Sequence, residues 1–246
     1  MDTGQDGTVA TPRVLRDTAA VVFDTDGVIT DSARVHAAAW KTAFDASPLL
    51  RGRRPFDVRD DYLRYVDGKS RPDGARAYLE SQGLTPTEAE VQAVAADKER
   101  LYTDRLREHG IDAYPGTVRL LGVLRSAGVA TAAVSASRHA LELLEYAGVR
   151  DLFDALVDGS EASRLHLAGK PDPALFLEAA CRLGTPAARA AVVEDALAGV
   201  EAGRRGGFGV VIGVDRTHTP GTRAALLKHG ADLVVDDLAE LLDSED

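Results

Sequence analysis

A chain of 246 residues with 45% hydrophobic and 28% charged residues has the composition of a soluble globular protein with a substantial core. Its net charge of −10 argues against a general binder of nucleic acid or of acidic membranes, because both need a basic face. Cys181 is the single cysteine, which excludes an internal disulfide and fits a reducing compartment, and no apolar run approaches the roughly 20 residues that span a bilayer. We therefore expect a cytoplasmic protein without nucleic-acid or membrane partners.

The first predicted strand is an apolar run that ends on Asp24 and is followed by Asp26. Residues 1–16 before it lack the basic start and apolar middle of a secretory signal, and we expect a disordered tail there. Residues i and i+2 of a strand point the same way, so the two carboxylates should converge at the strand's C-terminal edge. Two acids packed together need a compensating charge, most simply a hard divalent cation. This stretch predicts a magnesium-assisted site centred on Asp24.

A block of predicted helices follows. Asp31 or Ser32 can cap the first of them, and Thr85 with Glu88 can cap the last. The helices of this block are predicted over residues 33–44, 57–66 and 71–81 and from residue 85 onward.

From residue 112 onward, β-rich runs alternate with amphipathic helices, which implies right-handed βαβ units and a parallel sheet. The strands are predicted at 129–135, 155–158, 191–194, 209–214 and 233–236. The helices are predicted at 117–127, 138–147, 173–183, 196–205 and 222–229. Since the first strand has the character of this sheet, we predict an α/β fold. It has a Rossmann-like parallel-sheet core (17–32 and 113–246) and an inserted α-helical cap domain (33–112).

Polar residues follow four of the predicted strands, at the edge where parallel sheets bind ligands. In chain order they are Asp24 with Asp26, Ser135, Lys170, and Glu194 with Asp195. This ordered set resembles the motifs of the haloacid dehalogenase-like superfamily. The run from Phe23 to Lys41 is similar to the opening of the β-phosphoglucomutase family within it.

The resemblance assigns a role to each residue of the set. Asp24 would be the nucleophile that forms an aspartyl phosphate, and Asp26 the general acid and then base. Ser135 and Lys170 would hydrogen-bond the transferred phosphoryl group. The Mg²⁺ ligands would be Asp24, the backbone carbonyl of Asp26, and the acidic pair Glu194 and Asp195.

The resemblance also implies residues that contact a sugar phosphate. Arg71 falls on a phosphate-binding arginine of the cap, while the helical spacing of Trp40 favours a core position over a ligand contact. The implied substrate contacts are His36, Trp40, Gly68, Arg71, Lys98, Ser137 and Arg138. Two positions depart from the family pattern: Thr25 replaces an apolar residue, and His139 replaces a smaller polar one.

Several candidates also have a purely structural interpretation. Lys170 suits a solvated loop and Ser135 a helix cap. His36 suits a packed histidine, and Arg71 and Lys98 suit a solvated face of the cap.

Three functions are compatible with these motifs. The first is conversion of a hexose 1-phosphate to the 6-phosphate, and the second is hydrolysis of a small phosphorylated metabolite. The third, non-catalytic binding of a phosphosugar, is disfavoured by the intact motif set. We expect a sugar phosphate as the small-molecule partner, Mg²⁺ as the cofactor, and a monomer or weak homo-oligomer.

Overall fold

The structure is a computed structural model that describes residues 11–217 and 219–243. Within them, six parallel strands form one sheet in the order β3-β2-β1-β4-β5-β6. The strands are β1 (Ala20–Asp24), β2 (Ala130–Val134), β3 (Ala155–Val157), β4 (Ala190–Glu194), β5 (Val210–Val214) and β6 (Leu233–Val235). The predicted α/β fold with a Rossmann-like parallel sheet is confirmed, and each predicted strand has its counterpart.

Helices cover this sheet and form the segment between β1 and β2. They are α1 (Ala33–Ala46), α2 (Arg71–Ser81), α3 (Glu88–His109), α4 (Pro115–Ser126), α5 (Ala140–Tyr146), α6 (Gly159–Leu165), α7 (Ala174–Arg182), α8 (Leu197–Arg205), α9 (Pro220–His229) and α10 (Glu240–Asp243). Across the described ranges, no helix combines the length and apolar character needed to cross a membrane.

β1 lies at the centre of the sheet and is buried along its whole length. Phe23 packs on one face in a cluster with Leu120, and Val22 packs on the other face with Phe176. The register pairs Asp24 with Val134 of β2 and Phe23 with Val193 of β4. The C-terminal end of β1 is therefore held between the ends of two neighbouring strands.

The segment between β1 and β2 has an apolar cluster of its own. The ring of Phe44 lies 5.0 Å from that of Phe56 and 4.3 Å from that of Tyr78, centre to centre. This separate cluster supports the division into a cap (33–112) and a core. The boundaries themselves stay a prediction.

Two predicted features of the cap are wrong. The predicted helix 57–66 is shorter and is π-helical over Tyr62–Val66, where the backbone N–H of Asp67 donates to the carbonyl of Tyr62 at 3.0 Å; before it, the Asp57 carboxylate accepts from the backbone N–H groups of Arg59 and Asp60, 2.8 Å each. The last cap helix, α3, is capped by Thr87 rather than Thr85.

Thr87 and Glu90 form a reciprocal capping box: the Thr87 side chain accepts from the backbone N–H of Glu90, and the Glu90 carboxylate accepts from that of Thr87. Because Thr85 and Thr87 both precede an acid by three residues, spacing alone did not decide between them.

The core departs from the predictions at its start and in one helix. Of the predicted tail, residues 1–10 lie outside the described residues, but Arg13–Leu15 form a short 3-10 turn with Leu15 buried in the core. Sequence analysis missed α6, which begins where the Asp158 carboxylate accepts from the backbone N–H groups of Ser160 and Glu161. It also missed the short α10.

Candidate active site

A tight turn carries the chain away from the end of β1. The backbone N–H groups of Ile29 and Thr30 both donate to the carbonyl of Thr25 at 3.0 Å. Gly27 has a φ of +82°, and a Cβ there would lie 1.8 Å from Asp195 Oδ2. Glycine is therefore required both by the backbone conformation and by the close approach of that carboxylate. The polar Thr25 is accommodated because its hydroxyl donates to the carbonyl of Val134 at 3.0 Å.

Three carboxylates and one lysine meet at the ends of β1 and β4. Asp24, Glu194 and Asp195 each offer an oxygen, and these oxygens all lie within 4.8 Å of one another. Lys170 Nζ donates to Asp24 Oδ1 and, at 2.6 Å, to Glu194 Oε1. Since the Lys170 side chain is only 1% exposed, the solvated-loop interpretation of this residue is wrong.

The charge of this cluster is not balanced by Lys170 alone. Burial, together with the neighbouring carboxylates, raises the pKa of Asp24 and of Asp195 well above the usual range. Burial lowers the pKa of Lys170, but Asp24 and Glu194 outweigh it and raise that pKa overall. Three converging carboxylates with one ammonium suit a hard divalent cation, so the donor set fits Mg²⁺. The assignment of the Asp26 backbone carbonyl as a Mg²⁺ ligand stays a prediction.

The side chain of Asp26 belongs to a second hydrogen-bond system. Its Oδ1 accepts from the hydroxyl of Ser32 and lies 3.2 Å from His36 Nε2, while its Oδ2 accepts from the hydroxyl of Ser135 at 3.4 Å. Burial opposes ionisation of this carboxyl, but His36 and Ser32 outweigh it and lower its pKa. Ser32 makes no side-chain bond to the end of α1, and neither does Asp31, whose carboxylate accepts from Tyr114 at 3.1 Å. The predicted side-chain N-cap of α1 is wrong because the Ser32 hydroxyl donates to Asp26.

His36 connects Asp26 to a buried lysine of the cap. Lys98 Nζ lies 2.6 Å from His36 Nδ1, and the ring of Tyr102 stacks on that of His36 with centres 4.0 Å apart. With Lys98 donating to Nδ1, the other ring nitrogen carries the hydrogen that Asp26 accepts. Burial lowers the pKa of Lys98 to about 7. Because Lys98 is 1% exposed, its assignment to a solvated cap face is wrong.

One cavity of about 50 Å³ lies between the cap and the ends of the strands. The predicted residues that line it are Asp24, Asp26, His36, Trp40, Gly68, Arg71, Lys98, Ser137, Lys170 and Asp195. Ser135 and Glu194 lie behind this lining and contact Asp26 and Lys170. The structure does not bring Arg138 to the cavity wall: its guanidinium donates to the Ser163 hydroxyl at 3.1 Å.

Four polar residues in or beside the cavity were not among those predicted. Tyr62, Asp67 and Lys69 line it, and Glu99 lies behind Arg71 with Oε2 2.5 Å from the arginine Nη1. Burial and then the charge of Glu194 raise the pKa of Asp67 to about 7. The signal for Asp67 was its position as an acid directly before Gly68, one of the implied substrate contacts. Glu99 gave a weaker signal as the neighbour of Lys98.

The loop that carries Asp67 fits tightly against the core. Gly68 has a φ of +67°, and a Cβ there would lie 2.9 Å from the Cβ of Ala196, which directly follows the acidic pair. The cap is therefore seated on the loop that presents Asp195.

Comparisons with known proteins agree with this geometry. The family model of the haloacid dehalogenase-like hydrolases matches residues 18–207. A β-phosphoglucomutase of Mycobacterium bovis is 42% identical over 91% of this chain and 91% of its own length. A phosphorylated carbohydrates phosphatase of Thermotoga maritima is 28% identical over 86% of this chain and 91% of its own length.

A solved structure shares the fold over nearly the whole chain. It is a β-phosphoglucomutase from Clostridium difficile with a TM-score of 0.74 and 27% identity, covering 91% of this chain and 93% of that one. The strand order, the carboxylates at the strand ends and these relatives agree. The chain belongs to the haloacid dehalogenase-like hydrolases and is a phosphotransferase or phosphatase of the β-phosphoglucomutase-like group.

Proposed function

We propose that the protein converts a hexose 1-phosphate into the 6-phosphate through an aspartyl phosphate on Asp24, with Mg²⁺ as cofactor. The observation that carries the proposal is the placement of two kinds of polar group on one cavity. Asp24 and Lys170 line it together with Arg71 and Ser137. A sugar with two phosphates can thus present one to Asp24 while the other is held at Arg71, because guanidinium groups bind phosphate in a bidentate manner.

The chemistry divides between Asp24 and Asp26. A carboxylate oxygen of Asp24 attacks the phosphorus, a P–O bond forms there, and the bond to the donor oxygen breaks. The electron pair stays on the donor oxygen, which takes a proton from Asp26. In the reverse direction Asp26 removes the proton of the sugar hydroxyl that attacks the aspartyl phosphate. Lys170 offsets the charge on the phosphoryl oxygens, and bound Mg²⁺ would supply further neutralisation at Asp24, Glu194 and Asp195.

The hydrogen bonds of Asp26 support a cycle that begins with base catalysis. Ser32, His36 and Ser135 surround its carboxylate, and its pKa is lowered, so Asp26 is ionised near neutral pH. An ionised Asp26 is ready to accept the hydroxyl proton when Asp24 is already phosphorylated. The proton gained in that half-reaction is the one returned in the next.

Hydrolysis of a phosphorylated metabolite is the second candidate. It uses the same aspartyl phosphate, with water in place of the sugar hydroxyl. The similarity to the Thermotoga maritima phosphatase favours it, and so does the Arg71–Glu99 ion pair, which partly neutralises the cation proposed to hold a second phosphate.

An assay with β-glucose 1-phosphate, Mg²⁺ and catalytic glucose 1,6-bisphosphate distinguishes the two. Formation of glucose 6-phosphate supports the mutase, and release of inorganic phosphate in its place refutes it in favour of the phosphatase. Asp24→Asn should abolish either reaction while circular dichroism shows an intact fold; retained turnover contradicts the nucleophile assignment. Arg71→Ala should reduce mutase activity far more than hydrolysis of p-nitrophenyl phosphate, and equal losses would argue against a second phosphate site.

A further inference from the structure

Glu99 joins the cap to the core beside Arg71. Its Oε2 lies 2.5 Å from Arg71 Nη1, and its Oε1 pairs with Nε2 of His139. Arg71 and Glu99 lie on the cap helices α2 and α3, whereas His139 directly precedes α5 of the core. The three side chains are between 21% and 30% exposed, so this Arg71–Glu99–His139 bridge is better shielded from water than an ordinary surface ion pair.

Positive charge is concentrated around Glu99. Burial lowers the pKa of Arg71, the Glu99 carboxylate opposes this effect, and the charge of Arg138 lowers the pKa further. Glu99 is the acid that pairs directly with Arg71 and offsets this charge. Guanidinium and imidazole groups that converge on one carboxylate are also the groups that bind a phosphate.

The size of the cavity bears on the fate of this bridge when a substrate enters. Its volume of about 50 Å³ is far below the roughly 300 Å³ at which small-molecule sites begin, so the cap must move away from the core to admit a sugar phosphate. That movement separates Glu99 from His139, because they lie on opposite sides of the cleft. Arg71 and Glu99 both belong to the cap and move together. An incoming phosphate therefore encounters an Arg71 guanidinium that is still paired with Glu99.

We propose that Glu99 is a specificity-determining residue that competes with the second phosphate of a sugar bisphosphate for Arg71. The proposal rests on the function proposed above. A phosphate at Arg71 would share the guanidinium with the Glu99 carboxylate, and the two anions would repel each other across it. Glu99 thus lowers the affinity for ligands that place a phosphate at Arg71, and it leaves unaffected a ligand such as p-nitrophenyl phosphate, whose one phosphate lies at Asp24.

The test measures how strongly glucose 1,6-bisphosphate inhibits the hydrolysis of p-nitrophenyl phosphate. Glu99→Gln keeps the shape and hydrogen-bonding capacity of the side chain but removes its charge. It should lower the inhibition constant of the bisphosphate by about tenfold, as expected for removal of a shielded like charge. The KM and kcat for p-nitrophenyl phosphate, which has no second phosphate, should stay within about twofold of those of the parent.

Glu142→Gln is the matched control, because the Glu142 carboxylate lies 3.3 Å from the other ring nitrogen of His139 and does not reach Arg71. It should leave the inhibition constant unchanged. Weaker or unaltered bisphosphate binding by Glu99→Gln would overturn the proposal and assign Glu99 to the positioning of Arg71. A parallel change in the KM for p-nitrophenyl phosphate would overturn it as well, because the effect would then be general.

Calorimetry separates this proposal from the proposed function. Glucose 1,6-bisphosphate is titrated into Asp24→Asn and into Asp24→Asn/Glu99→Gln, neither of which should turn it over. About tenfold tighter binding by the double variant supports the role of Glu99 even if no glucose 6-phosphate is formed by the parent enzyme. Equal binding refutes that role even if the mutase reaction is confirmed. A melting temperature of each variant verifies that both are folded.

Discussion

Replacing Asp67 with asparagine should stabilise the metal-free protein at pH 8, and by less than half as much at pH 5. Burial and the charge of Glu194 raise the pKa of Asp67 from its usual 3.8 to about 7. Between these two values the folded protein holds a proton that the unfolded chain releases, so the stability of the parent falls as the pH rises through this window. Asparagine keeps the acceptor for the Tyr62 hydroxyl but carries no charge.

The size of the effect follows from the difference in pKa. A shift of one unit corresponds to about 1.4 kcal/mol, so complete burial of the Asp67 carboxylate would cost about 4 kcal/mol at pH 8. Because part of the side chain still reaches solvent, we expect a gain in the free energy of unfolding of about 2 to 4 kcal/mol for Asp67→Asn. Because pH 5 lies only a little over one unit above the usual pKa of 3.8, the gain in the free energy of unfolding should be correspondingly smaller there.

Urea denaturation in the presence of a chelator at pH 5 and pH 8 measures this difference. Asp60→Asn is the control, since Asp60 is an exposed carboxylate in the same part of the cap, and its effect should stay within about 0.5 kcal/mol. Saturating Mg²⁺ should reduce the gain, because a cation at Asp24 and Glu194 offsets the charge that Asp67 meets. Equal stabilisation by Asp67→Asn at both pH values, or destabilisation at both, would refute the reasoning.

Two further substitutions test the metal site and the buried lysine. Gly27→Ala should lower Mg²⁺ affinity and turnover at least about a hundredfold, because its Cβ would overlap Asp195 Oδ2 and the residue has a φ of +82°. Activity measured as a function of Mg²⁺ concentration gives both quantities. Near-normal affinity and turnover would show that the turn can relax. Lys98 has a pKa lowered to about 7, so the unfolded chain binds more protons between pH 7 and pH 10.5 and the parent should gain stability as the pH rises. The melting temperature of Lys98→Met should not show this rise between pH 7 and pH 10. The same pH dependence of the melting temperature in both proteins would contradict the lowered pKa of Lys98.

The strands were predictable because their patterns involve only neighbouring residues, and the meeting of distant groups at the sheet edge followed from the parallel-sheet rule and the resemblance of the ordered motifs. The alternation of two residues in a strand placed Asp24 and Asp26 together, and the order of the motifs indicated that Lys170 and Glu194 meet them. The separate hydrogen-bond systems of the two aspartates did not follow from spacing. They depend on the Ser32 hydroxyl, which bonds Asp26 rather than the backbone at the start of α1.

The cap was harder to predict because its contacts join residues that are distant in sequence. Glu99 lies 28 residues after Arg71 and 40 before His139, and the helical pattern of α3 does not indicate either partner. The raised pKa of Asp67 likewise depends on the carboxylates of the core, which are distant from it in sequence. A raised pKa of this kind arises from burial between two parts of the chain, and no local sequence pattern indicates it.

The central position of β1 also has a consequence for the order in which the protein is made. Lys170, the partner of Asp24, is synthesised 146 residues after it. The strands that flank β1 likewise follow the whole cap segment in the chain. The cap helices can form their cluster from contiguous sequence, whereas the strand that bears the nucleophile must wait for the second half of the core. A nascent chain halted before residue 170 therefore leaves β1 without β4 on one side and without Phe176 on one face, and it lacks the lysine of the active site.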